Sequence, residues 1–393
     1  MSELFKPGKI GLIELKNRFV RSATAEVLAT DDGRVTERYF KAYEQLAKGG
    51  AGLIIPGNYY VHRMGRAIAR IVLVNKDDVI GELKGVVDMM HKHGAKAVAQ
   101  LNHGGRQCDP KILGATPIGP SAVRDKLSMV KPRAMTEREI EETIAAYGEG
   151  ARRAKEGGFD GVQIHAAHGY LINEFLSGYT NRRTDRWGGS LEKRMRFLIS
   201  VYEAIRSAVG RDYPILIKIN SEDFVKGGFT LEQCITVCKR LEELGIAAIE
   251  VSGGIAEKGL VTIKGDVPMD LVLKNRSFIE RFLMKFIEKS MREAARFEEA
   301  YFLPQAAAVK KNVKVPVIAV GGMRRRATME RALESGQADF ISLCRPFIRQ
   351  PNLVNLMQKK DGDPITCTSC NRCSIEMLVH YKPMRCYAAD APK

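Results

Sequence analysis

Eight short apolar runs recur along the chain, and they constrain its fold more than any other feature. They are continuous, not alternating, and rich in β-branched residues, which is typical of strands buried on both faces. The runs occupy 17–22, 51–57, 95–101, 159–165, 213–219, 246–253, 315–322 and 338–344. Helical segments separate most of them. Eight strand–helix repeats predict an α/β fold, a (β/α)8 TIM barrel.

Two threonines are candidate helix N-caps. Thr136 is followed three residues later by Glu139, which predicts a capping box, whereas Thr36 has Tyr39 at the equivalent place and no box. A doubly wound sheet is the alternative to a barrel. No GxGxxG turn follows the first strand, which favours the barrel.

Length and composition indicate one large catalytic domain with an appendage, or two medium domains. The chain has 393 residues, of which 45 % are apolar. We expect the barrel over 1–360, an inserted helical segment at about 254–298, and a short cysteine-rich tail over 361–393. The absence of a run of roughly 18 apolar residues and of a signal-peptide core predicts a cytoplasmic protein with no membrane span.

The net charge of +16 has two interpretations. Anionic ligands such as phosphates or acyl-CoA esters, or an acidic partner protein, would be attracted by this field. A solvated basic surface is the alternative. No nucleic-acid-binding motif is present, so we expect no nucleic-acid partner.

The inserted segment contains a basic amphipathic pattern. Apolar side chains recur at helical spacing between Phe278 and Met291, with lysines and arginines around them. We expect a barrel helix that buries its apolar face. A lid, a dimer surface and a membrane-surface helix are the alternatives.

Titratable side chains follow the fourth apolar run, within the stretch 159–197. His165, His168 and Tyr170 stand at the end of this strand, where barrel enzymes place their chemistry. Two imidazoles three residues apart can point at one anion or carbonyl oxygen, and a nearby phenol can donate a proton. The alternative for each histidine is a structural hydrogen bond.

Half of the eight cysteines lie in the tail. Cys367, Cys370 and Cys373 stand at two-residue intervals, and Cys386 follows twelve residues later. Three closely spaced thiolates with a distant fourth favour a [4Fe–4S] cluster. A four-thiolate zinc site and four free or oxidised thiols are the alternatives.

Four stretches resemble the Old Yellow Enzyme family of NADH:flavin oxidoreductases. They are QLNHGGRQ (100–107), HAAHGYLINEFLSGYTNRRTDRWGGSLEKRMRF (165–197), VIAVGGM (317–323) and CRPFIRQPNL (344–353). The cysteine tail resembles that of the branch containing 2,4-dienoyl-CoA reductase and trimethylamine dehydrogenase, where similar spacing holds a [4Fe–4S] cluster.

The resemblance implies that FMN lies across the barrel mouth. Gln100 would bond the flavin pyrimidine edge, and Lys218 would stabilise negative charge at the N1–O2 edge, although by itself Lys218 could form a buried ion pair. Gly321, Gly322 and Arg345 would bind the phosphate. The full expected FMN set is Ser22, Ala23, Thr24, Gly57, Gln100, Lys218, Gly321, Gly322, Cys344 and Arg345.

The same resemblance assigns catalytic roles. His165 and His168 would bind the carbonyl or anionic oxygen of the substrate, and Tyr170 would donate the proton. Two departures stand out: Ala25 replaces a threonine or cysteine that tunes the flavin potential, and Cys344 replaces a glycine beside Arg345. Because the side chain of Ala25 cannot bond the flavin, we expect a shifted flavin potential. Cys344 either packs without further effect or alters the backbone approach beside Arg345.

The function predicted is hydride transfer between NADH or NADPH, or a protein electron donor, and an activated C=C bond in an enone, enoate or enoyl-CoA-like small molecule. Because the related branch continues with an FAD- and NADPH-binding portion, we expect a separate electron-transfer protein or subunit, and a homo-oligomer. One alternative is a metal-dependent lyase or hydrolase with His103, His165 and His168 as ligands. Another is a non-catalytic flavin–iron–sulfur electron-transfer subunit.

Overall fold

Eight parallel strands form a closed barrel at the centre of the molecule. The computed structural model describes residues 2–126, 128–274, 276–359 and 362–389. The barrel strands are β1 (Phe19–Arg21), β2 (Leu53–Ile54), β3 (Lys96–Asn102), β4 (Gly161–Ala166), β5 (Ile215–Asn220), β6 (Ala248–Ser252), β7 (Val317–Val320) and β8 (Phe340–Leu343). Each strand pairs in parallel with the next, and β8 pairs with β1, so the predicted barrel is confirmed.

One main helix follows each barrel strand. These are α1 (Glu37–Lys48), α2 (Ile80–Lys92), α3 (Glu137–Glu156), α4 (Leu191–Val209), α5 (Leu231–Glu243), α6 (Leu303–Lys310), α7 (Arg326–Glu334) and α8 (Leu353–Lys359). Both predicted N-caps are confirmed. Thr36 accepts from the Tyr39 amide, and Thr136 forms a capping box with Glu139.

An N-terminal hairpin closes the end of the barrel at which the strands begin. Its antiparallel strands, Gly8–Ile10 and Ile13–Leu15, carry apolar side chains into the barrel interior. There they pack against inward-facing residues that include Val98 and Phe340. With the amino-terminal end of the barrel filled in this way, chemistry is confined to the carboxyl ends of the strands.

Shorter elements occupy the loops. They are the strands Tyr59–Tyr60, Ile118–Gly119 and Arg133–Ala134, and the short helices Glu3–Phe5, Arg63–Gly65, Asp77–Val79, Gly105–Gln107, Pro110–Leu113, Leu171–Leu176 and Arg345–Arg349. Among the described residues, no helix has the length and apolar character needed to cross a bilayer.

The segment between β6 and α6 forms three further helical pieces. They are the 3-10 segment Ala256–Ile263, the short helix Met269–Val272, and Phe278–Ala294, hereafter the basic helix. Phe278, Phe282 and Phe286 are exposed. The expectation that this helix buries its apolar face was therefore wrong, because its outward side meets no other part of the described chain.

The cysteine-rich tail folds back over the barrel mouth. After the helix Arg372–Leu378, the Met384 amide donates to the Glu26 carbonyl at 2.7 Å. Arg70 also donates to the Tyr381 carbonyl. The tail is thus tied to the loops that follow β1 and β2.

Candidate functional site

A buried polar network joins four barrel strands and the residue that follows β1, near the mouth. Lys218 Nζ lies 2.7 Å from Ser22 Oγ and 3.3 Å from Glu250 Oε1. Gln100 Nε2 donates to Gln163 Oε1 at 2.7 Å, and Gln163 Nε2 donates to Glu250 Oε2 at 2.9 Å. Three residues predicted to bind the cofactor therefore belong to one connected set.

Glu250 determines which groups of this network donate hydrogen bonds and which accept them. Burial alone would raise its pKa, but Lys218 and hydrogen bonds from Ser22, Gln163 and Ser342 outweigh it and hold the pKa below its ordinary value. A carboxylate can only accept, so Gln163 must donate to it and present its oxygen to Gln100.

Lys218 therefore forms a buried ion pair with Glu250, the alternative that the sequence left open for it. Sequence reasoning missed Glu250, because it lies within the apolar sixth run, 246–253. A charged residue inside a strand that should be buried on both faces was the available signal.

His165, His168 and Tyr170 converge at the end of β4. The His165 ring centroid lies 5.2 Å from that of His168 and 4.9 Å from that of Tyr170, both in edge-on geometry. The Ala167 amide donates to His165 Nδ1 at 3.3 Å. In a neutral imidazole this places the proton on Nε2, which is then a hydrogen-bond donor.

A strained turn fixes the second histidine. His168 has φ of +63° and Gly169 has φ of +77°. The His168 amide donates to Asn220 Oδ1 at 3.0 Å, and Nε2 of its ring lies 2.7 Å from Ser252 Oγ at the end of β6. Asn220 and Ser252 are positioning residues that the sequence did not reveal.

The protonation states suit hydrogen-bond donation to an oxygen. Burial, His168 and Lys218 lower the pKa of His165 well below its usual range. Burial and Lys218 lower the pKa of His168 to about 3. Burial raises the pKa of Tyr170 to about 12. At neutral pH the site thus holds two neutral imidazoles and a protonated phenol beside a lysine.

The loop after β1 and the end of β2 form another wall. Ala23 and Thr24 are half-buried, and the Thr24 amide donates to the Gly57 carbonyl at 3.0 Å. Gly57 has φ of +108°, and a Cβ there would lie 2.8 Å from the Tyr59 amide nitrogen. Glycine is required at this position because both its conformation and its surroundings exclude a side chain.

The turn after β7 has the properties of an anion site. Gly321 and Gly322 both have positive φ, and among the described residues no hydrogen-bond partner is found for their amides. Further along the same turn, the amides of Arg324 and Arg325 both donate to Glu299 Oε1, at 2.8 and 2.9 Å. A run of amides that already holds a carboxylate oxygen favours anionic groups.

Two residues after β8 contact other parts of the site. Cys344 Sγ lies 2.7 Å from Thr24 Oγ1. Arg345 is buried, donates to the Lys264 carbonyl at 2.9 Å, and also donates to Asn371 Oδ1 in the tail. Part of the guanidinium predicted to bind phosphate is therefore engaged with the cysteine-rich tail.

The four tail cysteines line one small pocket. Cys367, Cys370, Cys373 and Cys386 surround it together with Arg345. Within the described ranges, no three or more His, Cys, Asp or Glu side chains are grouped to hold a single metal ion. His103, His165 and His168, the three ligands of the metal-dependent lyase or hydrolase alternative, form no such group among these residues.

The tail also forms one side of the barrel mouth. Met377, Tyr381 and Met384 belong to an apolar cluster that includes Ala25 and Tyr170. Tyr381 Oη donates to Asp109 Oδ2 at 3.1 Å. Sequence reasoning assigned the tail only to metal binding and missed this contact with the catalytic candidates.

A closed parallel barrel with a lysine, two neutral histidines and an anion-favouring turn at its carboxyl end defines a flavin-type oxidoreductase. Comparison with known proteins agrees with this class. The chain belongs to the NADH:flavin oxidoreductase / NADH oxidase family, which matches residues 3–259 and 269–363.

Individual relatives support the same assignment. An NADH oxidase from Thermoanaerobacter brockii is 36 % identical over 94 % of this chain and 52 % of its own length. The solved complex of 2-naphthoyl-CoA reductase with 2-naphthoyl-CoA has a TM-score of 0.86 and 30 % identity over 98 % of this chain and 56 % of that one. The Old Yellow Enzyme homologue from Zymomonas mobilis has a TM-score of 0.73 and 27 % identity, covering 94 % and 96 %.

Length separates the chain from some of these proteins. It spans about half the length of the first curated relatives that it matches.

Proposed function

We propose that this chain is an FMN-dependent reductase of carbon–carbon double bonds conjugated to a carbonyl group. The observation that carries the proposal is the convergence of His165, His168 and Tyr170 beside Lys218 at the barrel mouth. When bound, FMN supplies hydride chemistry, accepting hydride from NADH or NADPH and passing it to the activated double bond.

The residues present fit FMN in their donor chemistry. Lys218 offers a buried cation, and Gln100 offers an amide whose orientation Glu250 sets through Gln163. The amides of Gly321 and Gly322, for which no partner is found among the described residues, are suited to a phosphate. The loop at Ala23 and Thr24 is half-buried and hydrogen-bonded to Gly57, so these residues would form one side of the FMN site.

Three further FMN candidates act through neighbours. Ser22 accepts from Lys218 and donates to Glu250, so it positions the lysine. Cys344 contacts Thr24, and Arg345 links the phosphate end to the tail.

The histidine pair would bind the carbonyl oxygen of the substrate. Neutral imidazole N–H groups in a buried site stabilise an oxygen that gains negative charge, and they do so without carrying a charge themselves. The His168–Ser252 hydrogen bond holds one ring in place at 2.7 Å. Lys218 adds a positive field that lowers the pKa of both rings and also favours the developing anion.

Tyr170 would hold the proton that the substrate carbon receives. Its pKa of about 12 keeps the phenol protonated throughout the physiological range. Its ring lies against His165, so a carbonyl bound by the histidine pair would have its adjacent carbon near the hydroxyl.

An acyl-CoA thioester is the substrate class that we favour. Support comes from the structural similarity to 2-naphthoyl-CoA reductase and from the net charge of +16, which would attract the phosphates of CoA. A small neutral enone is the second candidate. Its binding would need only the histidine pair and would not depend on the basic surface.

We further propose that the cysteine pocket holds a [4Fe–4S] cluster, with Cys367, Cys370, Cys373 and Cys386 as ligands. Support comes from the four thiols, which line one pocket. The sequence spacing of Cys367, Cys370 and Cys373 at two-residue intervals favours a cubane, in which each thiolate bonds a different iron atom, over zinc. Such a cluster would exchange single electrons with a separate donor protein or subunit.

The first experiment is an absorption spectrum of anaerobically purified protein, with iron and acid-labile sulfide assays. Bound flavin is expected, together with about four irons per chain. Turnover of NADH with an unsaturated acyl-CoA is then compared with turnover of a simple enone. A colourless protein that FMN cannot reconstitute would contradict the proposal.

A variant tests the roles of the histidines. The double change His165→Ala/His168→Ala is expected to lower turnover at least roughly 100-fold, as for loss of oxyanion donors, with FMN content unchanged. His93→Ala, on the outer surface near Glu44, is the matched control and should retain full activity. If the double variant turns over substrate as fast as the wild type, the assigned roles are refuted.

A further inference from the structure

The basic helix presents an apolar surface to solvent. This surface, hereafter the outer face, consists of Phe278, Ile279, Phe282, Phe286 and Ile287, whose exposed fractions run from 49 to 85 %. Nine large hydrophobic side chains are exposed among the described residues, and these five are contiguous on one helix. A contiguous apolar patch of this kind marks an interaction surface.

The helix is held in helical form by its own sequence. Ser277 and Glu280 form a capping box at its start. Ion pairs at i, i+4 spacing join Arg276 to Glu280 at 2.9 Å and Arg292 to Glu288 at 2.8 Å. These local interactions stabilise the helix without any contribution from the outer face.

The opposite side of the helix already packs against the protein. Met284 and Met291 are half-buried there, and Ala295 is fully buried just beyond the helix end. This side contacts the segment Ala256–Ile263, and the Gly265 amide donates to the Ala295 carbonyl at 2.6 Å. The orientation of the helix is therefore set by an existing contact that turns the outer face away from the barrel.

Positive charge borders the outer face. Residues 274–296 contain seven lysines and arginines and three glutamates. On a helix of 3.6 residues per turn, Arg281, Lys285 and Lys289 lie along one edge of the outer face. Lys285 and Lys289 are exposed, and no carboxylate among the described residues lies within 4.0 Å of either.

We propose that the outer face binds the surface of an anionic lipid bilayer. The phenylalanines and isoleucines would enter the boundary between headgroups and acyl chains, while the lysine amino groups would reach lipid phosphates. Charge complementarity favours this partner. The excess of positive charge on the helix also adds to the net charge of +16 on the whole chain.

Two other occupants fit less well. A second copy of the chain would bring two helices of the same net positive charge together, which is unfavourable. A protein partner would normally form a hydrogen bond for every 100–200 Å² of interface. The five side chains of the outer face carry no hydrogen-bonding group, and the acyl-chain boundary of a bilayer requires none.

The test is co-sedimentation of the full chain with vesicles of phosphatidylcholine, alone or mixed with phosphatidylglycerol. Binding is expected only to the anionic vesicles and should weaken as salt is added. Phe278→Ser/Phe282→Ser/Phe286→Ser should lower the partition coefficient at least roughly 100-fold. Because these side chains are exposed, the melting temperature should not change. Leu12→Ser, at an exposed leucine on the opposite part of the fold, is the matched control.

A second pair of variants isolates the charge. Lys285→Gln/Lys289→Gln should weaken anionic binding by roughly 25-fold, about fivefold for each lysine. Lys9→Gln/Lys311→Gln lowers the net charge equally, at exposed sites elsewhere, and should change binding little. Absence of wild-type binding, or equal binding by the phenylalanine variant, would overturn the proposal. Light scattering that shows a wild-type dimer and a monomeric phenylalanine variant would assign the face to a second copy instead.

Discussion

Replacement of Glu250 by glutamine would remove one charge from the barrel interior and leave the shape of the side chain almost unchanged. Glu250 is fully buried, and its carboxylate accepts from Ser22, Gln163, Lys218 and Ser342. Because the variant leaves the Lys218 ammonium buried without its counter-ion, we expect the free energy of unfolding to fall by roughly 3–5 kcal/mol.

The hydrogen-bond direction should change as well. Glutamine has an amide nitrogen where the carboxylate had a second acceptor, so Gln163 must turn its oxygen toward position 250. Gln163 then presents its nitrogen to Gln100, and Gln100 must also invert. A change at position 250 should therefore alter FMN affinity through a residue two hydrogen bonds away.

The assay is urea unfolding of purified wild-type and variant protein at neutral pH, combined with FMN titration of the apoprotein. The double variant Glu250→Gln/Lys218→Met removes both charges and should recover part of the lost stability, because breaking the pair costs more than replacing it. If Glu250→Gln costs less than about 1 kcal/mol, the buried ion pair is not maintained, and the reasoning is refuted.

The pH dependence of stability provides an independent check of the Glu250–Lys218 ion pair. Because the folded-state pKa of Glu250 lies below its ordinary value, its contribution to stability is present above the unfolded pKa and is lost as pH falls through the folded pKa. The stability difference between wild type and Glu250→Gln should therefore shrink as pH falls below about 4.5. A difference that grows on acidification would contradict this assignment.

Three further changes test other parts of the site. Tyr170→Phe should lower turnover by roughly 100-fold or more while substrate affinity and flavin content stay nearly constant. Since its pKa is about 12, wild-type activity should show no loss from this group up to about pH 11, which a pH profile can check. Gly57→Ala, at φ of +108°, should lower stability by roughly 1–3 kcal/mol and reduce bound FMN, as thermal unfolding and flavin absorbance would report. Cys370→Ser should reduce iron per chain without loss of FMN, whereas Cys238→Ala in α5, away from the cysteine pocket, should leave iron unchanged; equal iron in both variants would count against the cluster.

The fold could be predicted because its signals are local and repeated. Each strand buried on both faces produces a continuous apolar run, and eight such runs with intervening helices leave few architectures. The basic helix could not be placed in the same way. Its apolar periodicity predicts one preferred face, but periodicity does not say what covers that face, and here the described chain leaves it uncovered.

The candidate site likewise contains residues that the sequence could predict and residues that it could not. His165, His168 and Tyr170 follow one strand, so their convergence is a short-range consequence of the turn at His168 and Gly169. Glu250 and Ser252 come from β6, and their role emerges only when closure of the barrel brings β6 beside β5 and near β4. No single-sequence pattern carries that information, because the interacting residues are more than thirty positions apart.

The position of the tail changes how the cysteine pocket should be understood. Arg345 lines the pocket and donates to Asn371 between Cys370 and Cys373, while its neighbour Cys344 contacts Thr24 at the mouth. At the other end of the tail, Met384 bonds the backbone of Glu26, whose carboxylate accepts from the Gly57 amide at 2.8 Å. The pocket is therefore connected to both walls of the proposed FMN site by direct contacts. A cysteine variant that loosens the tail would alter access to the mouth even if no electron passed through the pocket. The control is Tyr381→Phe, which removes the hydrogen bond to Asp109 and leaves every cysteine in place. If this variant shows the same change in turnover as the cysteine variant, the change comes from the loosened tail. Only a change that Tyr381→Phe does not show can be attributed to electron transfer.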